Sequence, residues 1–312
     1  MKTPLRLLAV FSLAVLAVRA ESRAAGTPKA PPPSGFALIP AGKFMMGDAL
    51  NEDKGAPQHK VNVSAFLMQK NLVTKAQWDE VRVWALKHGY PDLPEGKGKG
   101  ANHPVQTVSW FAVVKWCNAR SEKEGLAPCY HTDVANTKVY RTGNKDLSNE
   151  MVKWNATGFR LPTEAEWEKA ARGGLVGKRF PWGDTISHRR ANFNNSGKET
   201  YQTGSTDLHP DYEKGENGDL TFTSPVGSFA PNGYGLYDMA GNVWEWCWDR
   251  KGKYPAALET DPHGAVSTSQ RVCRGGCFFF TALACRVDSR YDSQQASADD
   301  FTGFRPVRAP AP

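Results

Sequence analysis

The chain has six cysteines in 312 residues, and it lacks any apolar run long enough to span a bilayer. The longest apolar run, Leu7–Val18, is shorter than the ~20 residues that a membrane-spanning helix needs. It follows two basic residues, Lys2 and Arg6, and Ala20 is the kind of small residue that a signal peptidase recognises. We therefore predict a signal peptide over residues 1–20, cleavage near Ala20, and a secreted or periplasmic protein without membrane insertion.

The sequence also lacks a block of basic residues and the common catalytic motifs. Its 39 Lys and Arg and 32 Asp and Glu give +7, and removal of Lys2, Arg6 and Arg19 with the signal peptide leaves 36 against 32, or +4. A dispersed charge of this size indicates a solvated surface, so no nucleic-acid partner is expected. The seven histidines lack HxH and HExxH spacing, and no P-loop or G-x-S-x-G motif occurs.

The mature chain divides into a linker, one domain and a short tail. Residues 21–34 (ESRAAGTPKAPPPS) have the composition of a disordered linker. Residues 35–308 carry all ten Trp and all but one of the fifteen Phe, which is enough to build a sizeable core. Residues 309–312 form a tail. Gly and Pro are scattered throughout, which favours many short elements and long ordered loops, and so little regular secondary structure.

Helix signals are confined to the first half of the domain. "GFALIPAGKFMMGD" predicts two strands and a turn. Three helix starts are indicated by capping residues: a capping box at Thr74 and Gln77, a serine cap at Ser109, and a second capping box at Thr163 and Glu166, with Gly173 ending that helix. After residue 175 the helical periodicity disappears, and aromatic pieces punctuated by turns predict loops and short strands.

Seven motifs in a fixed order carry a family resemblance. They are "PAGKFMMGD", "PVQTVSWFAVVKWCN", "GFRLPTEAEWEKAARGG", "FPWGD", "TSPVGSFAPNGYGLYDMAGNVWEWCWD", "RVCRGGCF" and "TGFRPV". Over about residues 36–308 the chain resembles the formylglycine-generating enzyme (sulfatase-modifying factor) family. The resemblance implies a compact α/β fold related to C-type lectins, with bound calcium. Such proteins include the copper-dependent oxidase that converts a sulfatase cysteine to formylglycine, and exported homologues used in siderophore maturation.

The resemblance implies calcium ligands in "DMAGNVWEW". Asp238 and Glu245 would supply carboxylates, while Gly241 and Val243 would supply main-chain carbonyls, a mixture of oxygens that suits Ca²⁺. The alternative is that Glu245 forms a salt bridge with an arginine. A second implied site would use Asn192, Phe193 and Asp219. Asp219 is displaced by one place from the family spacing.

The copper ligands of the family are not matched. In the family oxidases the Gly-Gly pair is followed by a serine and then by two cysteines five residues apart, whose thiolates bind Cu(I). Here Gly275 and Gly276 are followed by Cys277 in the serine place, and Phe280 occupies the place of the first copper cysteine. Calcium is therefore the expected cofactor, and copper is not expected.

The remaining cysteines leave several alternatives. Cys277 and Cys285 are the only candidates for catalytic thiols, as a metal or redox pair. Alternatively, Cys285 forms a disulfide with Cys277 or Cys273, or all three are buried thiols. Strand alternation would place Cys273 and Cys277 on the same face. Cys117 and Cys129 are either a disulfide across a short loop or free.

Three arginines, Arg286, Arg290 and Arg305, resemble those that frame the family's cleft. They would hold an anionic or peptide ligand, or pair with Asp288 and Asp300 as part of the structure. Two functions follow from these observations. One is a binding or accessory module that takes a peptide, protein or small-molecule ligand in the cleft. The other is an oxidoreductase that tailors a peptide or secondary metabolite there.

Overall fold

The computed structural model describes residues 31–48, 50, 56–194, 200–203, 222–255, 257–266 and 268–310. The predicted signal peptide, most of the predicted linker and Asp219 lie outside these residues. The chain separates into a unit of residues 1–31 and a compact unit of residues 32–312. Within the described ranges, none of the helices has the length and apolar character needed to cross a membrane.

Short strands and three α-helices make up the described part of the domain. The helices are α1 (Lys75–Leu86), α2 (Trp110–Lys123) and α3 (Glu164–Arg172), with 3-10 turns at Asn149–Met151 and Ala282–Cys285. The strands are β1 (Phe36–Ile39), β2 (Gly42–Met46), β3 (His59–Val63), β4 (Phe66–Gln69), β5 (Trp244–Arg250), β6 (Glu259–Thr260), β7 (Gln270–Arg274), β8 (Tyr291–Gln294), β9 (Thr302–Gly303) and β10 (Val307–Arg308). The predicted loss of α-helix after residue 175 is confirmed for the described residues.

Local sequence signals set the helix ends, as predicted. The side chain of Thr74 accepts a hydrogen bond from the main chain of Gln77, whose side chain accepts one from the Thr74 N–H. Thr163 and Glu166 repeat this arrangement at α3, and Ser109 caps α2. Gly173 ends α3 with a φ of 56°, a left-handed conformation that suits glycine.

The strands form three small sheets. Their orders are β1-β4-β10, β2-β3-β6 and β8-β7-β5-β9. The predicted strands β1 and β2 are confirmed, but they belong to different sheets, since β1 is antiparallel to β4 and β2 is antiparallel to β3. In the third sheet β5 pairs with both β7 and β9. This central strand positions the candidate site.

Tryptophan side chains connect the helices to the loop-rich second half. On β5, Trp244, Trp246 and Trp248 are all buried, and alternation gives them a common face. The Trp246 indole N–H donates to the Val108 carbonyl at 3.0 Å. From α2, the Trp110 indole N–H donates to the Cys247 carbonyl at 3.0 Å. The indoles of Trp246 and Trp110 have both apolar contacts and a hydrogen-bond partner, so they hold β5 against α2.

Candidate functional site

The segment of the predicted calcium ligands and the segment of the predicted thiols meet at one place. Gly275 and Gly276 follow β7 with φ values of 97° and 75°, which turn the chain sharply. The Gly241 N–H donates to the Gly275 carbonyl at 2.7 Å, and the Phe278 N–H donates to the Asn242 carbonyl at 2.9 Å. Residues 275–280 therefore lie directly on residues 238–245.

Cys277 and Cys285 are neighbouring buried thiols. Burial raises the pKa of Cys277 well above its ordinary value, and the proximity of Cys285 raises it further. A side chain on Gly276 would place its Cβ 2.8 Å from the Cys285 sulfur. No disulfide joins any of the six cysteines, all of which lie in the described ranges. The disulfides that the sequence left open are therefore absent among the described residues, and all six cysteines are buried.

The expected shared strand face of Cys273 and Cys277 is wrong. Strand β7 ends at Arg274, so alternation does not extend to Cys277. Cys273 lies within the sheet, opposite Trp246 on one side and Tyr291 on the other. The glycine pair breaks the strand because its backbone conformation is incompatible with a pleated ladder.

Phe280 belongs to a group of five rings, called here the aromatic cluster: Trp244, Phe279, Phe280, Tyr291 and Phe301. The Phe280 ring centroid lies 5.7 Å from that of Trp244, 5.6 Å from that of Tyr291 and 5.8 Å from that of Phe301. Phe279 stacks on Phe301 at 6.4 Å and is 56% exposed. The indole nitrogen of Trp244 is buried and has no hydrogen-bond partner in the described part of the chain.

Glu245 forms an ion pair with Arg305 in the interior. Its two carboxylate oxygens accept from the Arg305 guanidinium at 2.8 and 2.9 Å, and one of them also accepts from the Trp167 indole N–H at 2.9 Å. Arg305 donates further to the carbonyls of Lys70 and Tyr237. The arginine pair that the sequence left open for Glu245 is thus present, and it engages both oxygens.

The other predicted calcium ligands include two oxygen atoms that have no hydrogen-bond partner among the described residues. Asp238 is buried, and one carboxylate oxygen accepts from the Gly227 N–H at 2.7 Å while the other has no partner. Burial raises the pKa of Asp238 to about 6. The amide oxygen of Asn192 is likewise buried without a partner. Each predicted calcium site therefore includes one unpaired buried oxygen, as a hard cation requires.

The remaining predicted ligands surround these atoms. Gly241 lies against the Asn192 main chain, which leaves no room for a side chain at that glycine. Val243 precedes β5 and is buried, as is Phe193. Among the described residues, no group of three or more His, Cys, Asp or Glu side chains could hold a metal ion. A cation here would thus depend largely on main-chain and amide oxygens.

The three predicted cleft arginines are separated by their ion pairs. Arg286 lies 3.2 Å from Asp288, the partner that the sequence suggested. Arg290 forms a two-point ion pair with Glu164, at 2.7 and 2.8 Å. Arg305 pairs with Glu245, as described above, whereas Asp300 is exposed. Internal ion pairing therefore accounts for each of the three positions.

A charged core surrounds α3, and the sequence alone did not predict it. All nine residues of this helix are buried, although its sequence, EAEWEKAAR, is largely charged. Glu168 accepts from Arg172 at 2.7 Å and also pairs with Arg274, and its side chain accepts from the Gly47 N–H at 2.8 Å. The i,i+4 spacing of Glu168 and Arg172 indicated one of these pairs. The partners from β7 and the loop before β3 are distant in sequence.

Comparison with known proteins agrees with this fold. The chain matches the family described as "Sulfatase-modifying factor enzyme 1-like domain" over residues 21–310. It is 35% identical over 298 residues to the formylglycine-generating enzyme of Thermomonospora curvata, which covers 87% of this chain and 92% of that protein. It is 34% identical over 281 residues to "Chaperone protein LppX" of Paenibacillus barcinonensis, covering 87% and 88%.

Similarity extends to a relative named as inactive. The chain is 30% identical over 294 residues to "Inactive C-alpha-formylglycine-generating enzyme 2" of Bos taurus, covering 86% of this chain and 85% of that protein. Among solved structures it is similar to Treponema denticola variable protein 1, with a TM-score of 0.67 and 28% identity over 88% of this chain and 95% of that one. The protein is therefore a member of the sulfatase-modifying factor (formylglycine-generating enzyme) family.

Proposed function

We propose that the protein is an exported binding or accessory member of this family, stabilised by calcium and without copper-dependent formylglycine formation. The observation that carries this proposal is the position of Phe280, which lies in the aromatic cluster where the family oxidases have a copper cysteine. The ligand would be a peptide, a protein segment or a small molecule that contacts these rings.

The side chains present do not fit a Cu(I) site made of two thiolates. Such a site needs two deprotonated sulfurs that converge on one ion. A phenylalanine ring offers no such ligand, and the thiol of Cys277 is buried with a raised pKa, so its neutral form is favoured. With one of the two thiolates missing, a single remaining thiolate would bind the ion weakly.

The aromatic cluster instead supports ligand binding. Phe279 is more than half exposed and stacked on Phe301, so a flat apolar surface faces solvent. The buried indole N–H of Trp244 lacks an acceptor, although a buried indole N–H usually has one. Two relatives are named as a chaperone and as an inactive enzyme, which supports a binding role for members of this family.

Activity on a sulfatase peptide tests the proposal. The purified mature protein would be incubated with Cu(I), oxygen, a reductant and a peptide that contains Cys-x-Pro-x-Arg, with the enzyme of Thermomonospora curvata as the positive control. We expect no conversion of the peptide cysteine to an aldehyde by mass spectrometry. Conversion that is lost in Cys277→Ala would refute the proposal and identify Cys277 as a relocated copper ligand.

The proximity of Cys277 and Cys285 favours one second candidate, an oxidoreductase that tailors a peptide or secondary metabolite. Alkylation of the native protein distinguishes the two functions, because a reacting thiol must be reachable by its substrate. A binding module should leave both thiols unmodified until the chain unfolds. Rapid labelling of Cys277 in the folded protein would favour the oxidoreductase.

Calcium stabilisation is tested by chelation. A cation that binds only the folded state stabilises it by mass action, so a chelator should lower the unfolding midpoint. Asp238→Ala should remove this sensitivity, because the unpaired oxygen of Asp238 would be a ligand. Asp79→Ala, on the exposed side of α1, is the control and should retain it. An unchanged midpoint in chelator, with no tightly bound metal, would contradict the calcium assignment.

Export is tested by N-terminal sequencing. The mature protein recovered outside the cytoplasm should begin near Glu21. Recovery of a chain that still begins at Met1 would contradict the predicted cleavage.

A further inference from the structure

A second concave surface lies between β2 and the end of α3, and we call it the β2–α3 groove. Its volume is about 600 Å³, within the range of small-molecule sites. Its apolar walls come from Phe44, Tyr234, Leu175, Val176 and Leu258. The last three are among the ten most exposed large hydrophobic residues of the described part, with 38%, 77% and 49% exposure. The groove therefore has apolar surface both inside and at its rim.

The charged side chains of the groove are all basic. Lys43, Lys60, Lys169 and Arg172 line it, and no described Asp or Glu does. Arg172 is neutralised by Glu168. Lys43 and Lys60 are exposed, and no carboxylate lies within ion-pair distance of either in the described ranges. The groove therefore presents an uncompensated positive charge beside its apolar walls.

Lys169 is the unusual member of this set. It is 6% exposed, and its ammonium donates one hydrogen bond, to the Gly42 carbonyl at 2.7 Å. An ammonium has three donors, and a buried one is normally paired with an anion. Burial lowers the pKa of Lys169, with Asp261 only partly offsetting this effect. A ligand with a negative group at the base of the groove would supply the missing partner.

We infer that the β2–α3 groove binds a single-chain alkyl carboxylate, with the carboxylate on Lys169 and the alkyl chain along the apolar walls. A bilayer surface fits less well, because its headgroups would reach the exposed Lys43 and Lys60 but not the buried Lys169. A peptide strand added to β2 fits less well too, because side chains of α3 already donate to carbonyls at both ends of this strand. Lys169 and Arg172 donate to the β2-side carbonyls of Gly42 and Gly47.

Binding of dodecanoate to the mature protein, measured by calorimetry, tests this assignment. We expect saturable binding of one molecule, and dodecanol is the uncharged probe of the same length. Lys169→Met should weaken dodecanoate at least about tenfold, which corresponds to the loss of one charged hydrogen bond. It should leave dodecanol unchanged. Lys138→Met, an exposed lysine elsewhere, is the matched control and should alter neither.

A second variant keeps the test informative if Lys169→Met does not fold. Val176→Asp changes a side chain that is 77% exposed, so it should fold and weaken both probes. Absence of saturable dodecanoate binding would overturn the proposal. So would equal weakening of both probes by Lys169→Met, or binding to anionic vesicles that needs Lys43 and Lys60 but not Lys169.

Discussion

The chain on the two sides of Gly275 and Gly276 is held by opposite kinds of chemistry. On the β7 side, Arg274 is fully buried and pairs with Glu168. On the other side, Phe280 packs among aromatic rings, and Phe279 remains more than half exposed. On the β7 side the charges are buried and paired with each other, whereas on the aromatic side part of the ring surface is exposed. At this turn, the buried charge is paired within the protein, and the exposed ring belongs to the proposed binding surface.

The stability of the β7 side depends on the pairing of each buried charge with an opposite charge. Glu168 has no solvent exposure and accepts from Arg172, Arg274 and the Gly47 N–H. Taking such charges out of water is costly, and the cost is offset only while every partner is present. Loss of one partner should therefore affect folding more than any change on the aromatic side.

The largest expected effect is that of Glu168→Gln. It would leave Arg172 and Arg274 buried without their shared carboxylate, so the free energy of unfolding should fall by about 3–5 kcal/mol. Urea denaturation measures this change. The control is Glu80→Gln, whose exposed ion pair with Lys123 should contribute less than about 1 kcal/mol. Equal losses in the two variants would show that the network is not the main support of α3.

A smaller effect is expected on the aromatic side. Phe280→Ala removes a ring that is half-buried among four others, so we expect a loss of about 1–3 kcal/mol. Phe279→Ala should change stability by less than about 0.5 kcal/mol, because this ring is largely exposed. For ligand binding at the aromatic cluster the order of the two variants should reverse, with Phe279→Ala weakening binding more than Phe280→Ala. If Phe279→Ala destabilised the fold as much as Phe280→Ala, the exposed ring would be structural.

The smallest expected effect is a difference between two glycine substitutions. It distinguishes close packing from backbone strain at the turn between the two sides. A Cβ at Gly276 would lie 2.8 Å from the Cys285 sulfur and 2.9 Å from the Ala284 main chain. Gly125 has a similar φ, 71° against 75°, but no atom within 4 Å of its Cβ position. Gly276→Ala should therefore cost about 1–2 kcal/mol more than Gly125→Ala. Equal thermal shifts would indicate that only the backbone conformation requires glycine.

Features that depend on neighbours in sequence were predicted well. The capping boxes at Thr74 and Thr163 involve residues three positions apart, and the left-handed end at Gly173 follows from its missing side chain. The family and its fold followed from the order of seven motifs and are confirmed by the match over residues 21–310. The prediction that Phe280 replaces a copper cysteine rests only on the spacing after the glycine pair.

Features that depend on distant partners required the tertiary structure. Arg305 and Glu245 are 60 positions apart, Arg274 and Glu168 106, and Arg290 and Glu164 126. Periodicity and capping carry no information about such pairs, because both are local patterns. A charged helix such as α3 would also ordinarily be expected at the surface. The sequence by itself determined the helix ends and the family, and it predicts the loss of the copper ligand. Only the packing of α3 between the sheets decided which charges are buried together. Removing a charge from water is costly unless an opposite charge lies beside it, so each buried charge depends on the partner that the fold places next to it.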